Sequence, residues 1–439
     1  MVAVSTPRGA GGVALLRLSG PRALAIGTSI FVSRPPLGRP RYVQYGHVMD
    51  SRREPLDTAM AWFLKGPKSY TGEDTVEITT HGSDALLELV LDSAIYHGAR
   101  IAAPGEFTRR AFTNGRIDLL QAEAVVELIH ASSRSGMQAA YGAVSGRLTE
   151  VVNSLRKQLA GALVQLEAQL DFVEDIDQEE VGEVDGILSR VICEARELMQ
   201  TFEGVRRRHD GWKVVIVGRP NAGKSSLLNA LLGEDRSIVA DEPGTTRDWV
   251  EATLVWEGER IRLVDTAGLR EGADRVEAAA VRRSGHQAAH ADVVVAVVDG
   301  SGDRTILEDE LANPRWGATV AVVSKADLPR LARLPVGAEA VPVSAHGREG
   351  LRELRARIMA ALPGRDPPDG PALLRERHHE TLTRVVALAD RARGDLSTGN
   401  HELAAASLGE ALRLVGELLG ESVDEDVLDR IFREFCIGK

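Results

Sequence analysis

The chain has 439 residues, with 53 Lys+Arg against 64 Asp+Glu, a formal net charge of −11 and 44% hydrophobic residues. This balance excludes global disorder and argues against bulk, sequence-independent nucleic-acid binding, and the length predicts two or three domains. No apolar run is membrane-sized, no basic stretch leading into an apolar one opens the chain, and two cysteines, Cys193 and Cys436, build neither a disulfide framework nor a zinc site, so a reducing cytoplasm is expected.

Residues 1–118 carry a net +3 and read as mixed α/β. β-type runs at Gly12–Leu18 and Thr75–Thr80 are separated by Pro/Gly-rich turns at Arg34–Pro40 and Lys65–Lys68, with one amphipathic stretch at Asp84–Tyr96. From Leu119 to Val205 the pattern is helical and nearly free of Gly and Pro, which places Cys193 on a core-facing helix surface. The acidic cluster Asp171–Asp185 reads as a solvated helix junction. Residues 213–365 alternate strand and helix signals, as a parallel α/β sheet requires. Gly364–Pro371 is a linker by composition, and helical periodicity resumes at Leu373. The four segments are therefore 1–118, 119–212, 213–365 and 366–439. Two helical stretches around an α/β unit imply an insertion into one helical domain.

The strand Lys213–Gly218 runs into Gly218-Arg-Pro-Asn-Ala-Gly-Lys-Ser225 and then a helix, Ser226–Leu232, stopped by Gly233. This is a G-x-x-x-x-G-K-S loop in its required strand–loop–helix context. Backbone N–H groups of Asn221, Ala222 and Gly223, with the helix start at Ser226, would face phosphate oxygens. Lys224 would neutralise β/γ-phosphate charge, and the Ser225 hydroxyl would hold Mg²⁺. In Gly244-Thr-Thr-Arg-Asp248, Thr246 can complete that coordination when a switch loop closes. A hairpin signal at Glu257-Gly258 precedes the strand Ile261–Val264, which ends in Asp265-Thr-Ala-Gly268. Asp265 suits a magnesium-side carboxylate and the Gly268 N–H a γ-phosphate sensor. The strand Thr319–Val323 leads to Ser324-Lys-Ala-Asp327, with Lys325 inside it, and Val341–Ala345 supplies a last loop through Ser344 and Ala345. Asp327 selects the base, because a carboxylate accepts from both N1–H and N2–H₂ of guanine and adenine offers no such pair. Leu269 stands where Ras-like proteins place a water-orienting Gln, so hydrolysis needs another group, with Glu271, Asp274 and Glu277 as candidates.

These motifs resemble the five G-motifs of the translation-factor-related, TrmE–Era-like GTPases. Against that pattern, Ser324 replaces the usual Asn and is expected to be too short to bridge as the amide does. The flanks narrow the resemblance. Gly11–Gly20, Ser69–Glu77, Pro104–Phe112, Asn114–Ala124 and Phe435–Lys439 are similar to the tRNA-modification GTPase MnmE (TrmE) family from end to end.

That resemblance implies a multidomain α/β plus α protein: an N-terminal α/β tetrahydrofolate-binding-like domain that dimerises, a central helical domain, and an inserted P-loop Ras-like G domain. It implies a reduced folate (formyl- or methylene-tetrahydrofolate) held by Arg17, Glu77, Arg116 and Lys439, with Arg116 replacing the usual Lys. It assigns Glu277 to water orientation, joins Thr245 to the GTP contacts, and makes Asn221, Thr245 and the backbone at Ala240 and Glu242 the ligands of a K⁺ ion. It further implies a homodimer working with a flavin-dependent MnmG/GidA-like partner on the wobble uridine of tRNA. An Era-like ribosome-assembly switch is the alternative, and it would need an appended RNA-binding module after residue 365. Cys436 is either a nucleophile or a site-lining residue.

Overall fold

The computed structural model describes residues 1–131, 133–171, 178–234, 250–265, 288–303, 305–306, 316–363 and 370–438. They fall into two compact units, one of residues 1–129, 141–197 and 376–439, the other of 130–140 and 198–375.

The first unit begins with β1 (Val2–Val4), β2 (Gly11–Ser19), α1 (Ala23–Ile30), β3 (Phe31–Ser33), β4 (Gln44–Met49), β5 (Pro55–Leu64), β6 (Thr75–Gly82), α2 (Asp84–Tyr96) and α3 (Glu106–Thr113). The strands form one antiparallel sheet in the order β1-β2-β6-β5-β4-β3. Alternation along β2 sends Leu16 and Leu18 inward with Val76 and Ile78 of β6, against Ile26, Ile30 and Val90 of α1 and α2. Arg17 and Glu77 are therefore left on the other face, as direct cross-strand partners.

Helices α4 (Leu119–His130), α5 (Arg134–Val144), α6 (Arg147–Asp171) and α7 (Gln178–Asp210) follow. In α6, Leu148, Val152, Leu155, Leu159, Ala162 and Leu166 are fully buried. Their alternating spacing of four and three residues is a helix-bundle seam. Cys193 on α7 is exposed, contrary to the expected core position. The apolar stripe of α7 runs through Val184, Leu188, Val191, Ile192 and Ala195, and residue 193 falls beside it. Asp185 of the acidic cluster pairs with Arg393, while residues 172–177 lie outside the described set.

The second unit contains β7 (Trp212–Val217), α8 (Lys224–Glu234), β8 (Val250–Trp256), β9 (Glu259–Asp265), β10 (Val293–Asp299), β11 (Ala318–Ser324), β12 (Val341–Val343) and α9 (Leu351–Ala361). Its sheet order is β12-β11-β10-β7-β9-β8, parallel except for the antiparallel edge strand β8. The all-apolar run of β10 is buried throughout except at its terminal Asp299, as a central parallel strand should be. Glu257 and Gly258 both take positive φ, 52° and 83°, the geometry of a two-residue hairpin turn. Helix α8 continues through Gly233 rather than stopping before it. The first unit is completed by α10 (Glu376–Ser397), α11 (His401–Leu419) and α12 (Glu425–Arg433). Phe112, Leu119, Ile431, Phe432 and Phe435 share one core there, which ties the N-terminal segment to the helical ones.

Candidate functional site

The nucleotide-site candidates of the second unit gather at the carboxyl ends of the parallel strands, where open α/β sheets bind ligands. The chain leaves β7 at Gly218, where an added Cβ would meet the Val297 carbonyl oxygen at 2.2 Å. Only glycine allows the loop to pass that close to β10. Asn221 turns at φ +63° and Gly223 at φ +90° before α8 begins. Lys224 is buried, and its Nζ donates to the carbonyl oxygens of Gly218 and Arg219 at 2.9 and 2.8 Å. Burial pulls the ammonium below the ordinary lysine pKa, against the opposing pull of Asp265. The Ser225 hydroxyl donates to Asp265 Oδ2 at 2.8 Å, and Asp265 closes β9 almost fully buried. A hydroxyl and a carboxylate so placed form an oxygen-only donor set, which suits Mg²⁺. Ser226 is exposed on the first turn of α8.

Ser324 corrects the sequence expectation. Its buried Oγ lies 2.6 Å from the Ala222 carbonyl oxygen and 3.1 Å from that of Val298. The hydroxyl is long enough because Gly223 brings the loop down onto it, an added Cβ at Gly223 lying 3.5 Å from Ser324. The serine thus links the phosphate loop to the base-recognition loop. Next to it, Lys325 takes φ +58° and its ammonium reaches Asp299 Oδ2 at 2.6 Å. Asp299 was not among the sequence candidates, although, like Asp265, it is a carboxylate ending a parallel strand. Some desolvation raises its pKa, but hydrogen bonds from Lys325 and Ser301 outweigh this and lower it.

Asp327 is exposed, and its Oδ1 accepts from the Ser344 hydroxyl at 2.7 Å, which lowers the Asp327 pKa. Ser344 Oγ in turn accepts from the Gly347 N–H at 2.9 Å, fixing the direction of its own proton. The Asp327–Ser344 contact thus joins the loops after β11 and β12, with Ala345 next in the second. The candidates Ala240, Glu242, Thr245, Thr246, Gly268 and Glu277 lie outside the described residues, as do Leu269, Glu271, Asp274 and Lys439.

The first unit brings together a second polar centre. Arg17 Nε donates to Glu77 Oε1 at 2.6 Å, and Trp62 Nε1 donates to Glu77 Oε2 at 2.8 Å. The three side chains are cross-strand neighbours on β2, β6 and β5. The Arg17 guanidinium lies 5.7 and 5.5 Å from the ring centres of Tyr70 and Phe107, within cation–π range. Trp62 was missed by sequence reasoning, though strand alternation puts it on the face of Glu77. The ionised carboxylate keeps acceptor capacity beyond these two bonds, so it fits a ring bearing N–H donors. Arg116 is exposed and runs along Gly72, and its side chain makes no hydrogen bond or ion pair among the described residues. The tail meets the chain just after β1, with Ser5 Oγ donating to the Gly438 carbonyl oxygen at 3.0 Å and Cys436 exposed.

The Gly218–Ser225 loop between β7 and α8, with Asp265 at Ser225 and Asp327 after β11 on this sheet order, is the architecture of a P-loop GTPase. Two family models match, "GTP-binding protein TrmE N-terminus" over residues 1–116 and "MnmE helical domain" over residues 119–436. The chain is 39%, 41% and 38% identical to proteins named tRNA modification GTPase MnmE from Syntrophus aciditrophicus, Moorella thermoacetica and Aquifex aeolicus, covering 100% of this chain and 99% of each relative. Among solved structures it is similar to the G domain of the T. maritima FeoB iron transporter, at 25% identity over 34% of this chain and 98% of that one, with a TM-score of 0.24. The chain belongs to the tRNA modification GTPase MnmE family.

Proposed function

We propose that this protein hydrolyses GTP to drive modification of carbon 5 of the wobble uridine in certain tRNAs. It would do so as a homodimer, with a flavin-dependent MnmG/GidA-like partner, adding an aminomethyl or carboxymethylaminomethyl group. The reading is carried by one observation: a chain that matches this family end to end holds a phosphate-loop site in one unit and the Arg17–Glu77–Trp62 centre in the other.

In the GTPase site, Lys224 and the loop N–H groups bind the β/γ-phosphates, and Asp327 accepts from guanine. Ser225, beside Asp265, and Thr246 would hold Mg²⁺, which when bound neutralises charge developing on the phosphates. Glu277 orients the attacking water; its oxygen bonds to the γ-phosphorus as the bond to the β–γ bridging oxygen breaks, leaving GDP and phosphate. Asn221, Thr245 and the backbone at Ala240 and Glu242 would hold K⁺, which supplies the positive charge that an arginine finger supplies elsewhere. In the first unit, Glu77 accepts from pterin N–H donors, while Arg17, Arg116 and Lys439 hold the acidic part of a reduced folate. The folate supplies the one-carbon unit.

Mass spectrometry of wobble uridines from a deletion strain tests the reading. The modification should vanish and return with the wild-type gene, and unchanged tRNA overturns it. In vitro, Glu277→Ala should bind GTP normally yet hydrolyse it about 10²-fold more slowly, in the range expected for a positioned acid–base group.

A further inference from the structure

Most arginines of the N-terminal segment with a nearby carboxylate are tied to it. Arg17 meets Glu77, Arg100 meets Glu106, Arg110 meets Glu73, and Arg109 meets Glu425 and Asp429. One surface departs from this. The loop before β4 and the loop after β5 expose Arg34, Arg39, Arg41, Lys65 and Lys68, and none of the five has an ion pair among the described residues. Residues 31–49 contain three arginines and no Asp or Glu, in a chain whose net charge is −11.

The two loops are knit together. Pro40 bridges to Phe63, the Arg41 N–H donates to the Phe63 carbonyl at 2.8 Å, and the Arg41 guanidinium donates to the Lys68 carbonyl at 3.3 Å. Arg41 itself sits at φ +60°, a left-handed conformation that a non-glycine residue adopts at a cost and that recurs at functional surfaces. Arg39 stacks 5.0 Å from the ring centre of Tyr42, and Tyr42 is 46% exposed. The carboxylate that faces the second loop, Asp74, is engaged by the Gly66 N–H at 3.0 Å. Unpaired cations around an accessible aromatic ring are the chemistry of backbone-tracking RNA contact, in which lysines and arginines displace counterions and rings stack on bases.

We propose that this surface, Arg34 to Tyr42 with Lys65 and Lys68, binds the phosphate backbone of the tRNA substrate. The inference rests on the tRNA reading above and adds where this chain holds the RNA. Its position supports the role. Tyr70, two residues beyond Lys68, lies against Arg17 of the Arg17–Glu77–Trp62 centre, so RNA gripped here would lie beside that centre. A net-acidic protein can then bind RNA through one local patch, with the acidic helical segments turned to no part in it.

The test compares two triple variants of the full-length chain, each removing three positive charges. One is Arg39→Gln/Lys65→Gln/Lys68→Gln. The other is Arg8→Gln/Arg52→Gln/Arg53→Gln, exposed cations of the same segment outside the patch. Binding of an unmodified tRNA transcript is followed by fluorescence anisotropy between 50 and 200 mM salt, with GTP hydrolysis as the control for folding. The patch variant should lose about tenfold or more in affinity, and the slope of log K against log salt should fall by about two. The other variant should keep wild-type affinity. Equal losses in both, no loss in the patch variant, or no binding by the wild type overturns the proposal. So does a change from dimer to monomer in sedimentation with RNA affinity unchanged, which would make this face a self-association surface. If the deletion strain loses its wobble modification while the patch variant binds like wild type, the patch fails and the function stands. If the deletion strain has unchanged tRNA, the function itself fails.

Discussion

On the proposed reading, Asp327 and Ser324 carry different parts of nucleotide recognition, and their surroundings distinguish the two. Asp327 is exposed and aimed by Ser344, so its cost of folding is small and its acceptor pair is presented to the base. Replacing it with Asn exchanges one acceptor for a donor that opposes the guanine 2-amino group. Asp327→Asn should lose about 1.5–3 kcal/mol of guanine nucleotide affinity, the worth of one charge-assisted hydrogen bond, and gain affinity for xanthine nucleotides. Competition against a fluorescent guanine nucleotide reads both changes, and an unchanged preference for GDP would remove Asp327 from the base. Ser324 acts on the loop instead, through the Ala222 carbonyl. Ser324→Ala should weaken GTP and xanthine nucleotides alike, by about 1 kcal/mol, because the hydrogen bond lost does not touch the base. A residue-level pattern could locate Ser324 and Asp327. Whether a serine reaches across depended on how near Gly223 brings the loop, which is a property of the tertiary fold.

At the scale of elements, two buried carboxylates organise helices and strands that the sequence pattern treated as independent. Glu259 opens β9 and accepts from the Trp212 indole at 3.1 Å and the Ser135 hydroxyl at 2.9 Å. Ser133 caps α5 by accepting from the Gly136 N–H, and the Arg134 N–H donates to the Gly258 carbonyl at 2.8 Å. The start of α5 is thereby fastened to the β8–β9 hairpin, whose second strand ends at Asp265. Glu259→Ala would leave a buried indole N–H and a buried hydroxyl unpaired, at about 1–3 kcal/mol each. Hydrogen exchange should show residues 133–137 and the hairpin losing protection together, and loss confined to position 259 would refute the coupling. Glu123 on α4 is the second carboxylate, 1% exposed, receiving Arg377 at 2.8 Å and His378 at 2.6 Å from α10. Burial raises its pKa, but His378 and Arg377 beside it overcome this and bring it down to about 2. The folded carboxyl thus titrates below its unfolded value, so its contribution is complete above about pH 4.5 and drains away as pH falls towards 2. Over that window the α4–α10 contact should lose about 3 kcal/mol, measurable as acid-dependent loss of protection in both helices. Glu123→Gln should cost about 1.5–3 kcal/mol at neutral pH, since it removes the buried charge that Arg377 and His378 hydrogen-bond to.

The chain places two polar centres in separate compact units built from interleaved stretches of sequence. The insertion was legible, because a strand–loop–helix motif interrupts helical periodicity and the same periodicity resumes after it. The phosphate loop was legible for a similar reason: its glycines, Lys224 and Ser225 are fixed by local geometry that any such loop needs. Arg17 and Glu77 were named only through family resemblance, and their pairing was not read, since it joins residues 60 apart across a strand register that no local pattern sets. The same limit hid Trp62, Asp299, Glu259 and His378, all polar partners supplied by distant strands or helices. The tail is the longest-range case. Gly438 takes φ +97°, and an added Cβ would stand 2.2 Å from the Val4 carbonyl oxygen, while Ser5 binds the Gly438 carbonyl. Only glycine permits the chain to lie this close to the edge of β1, one strand from Arg17. Gly438→Ala must therefore displace the chain end from β1, and with it the folate contact proposed above for Lys439. We expect at least a tenfold loss of affinity for 5-formyl-tetrahydrofolate by calorimetry, with GTP hydrolysis at the wild-type rate. Gly399→Ala is the matched control, because Gly399 also has positive φ, +75°, but an added Cβ there meets nothing within 4 Å. It should leave folate affinity unchanged, and equal losses in the two variants would separate the tail from the site.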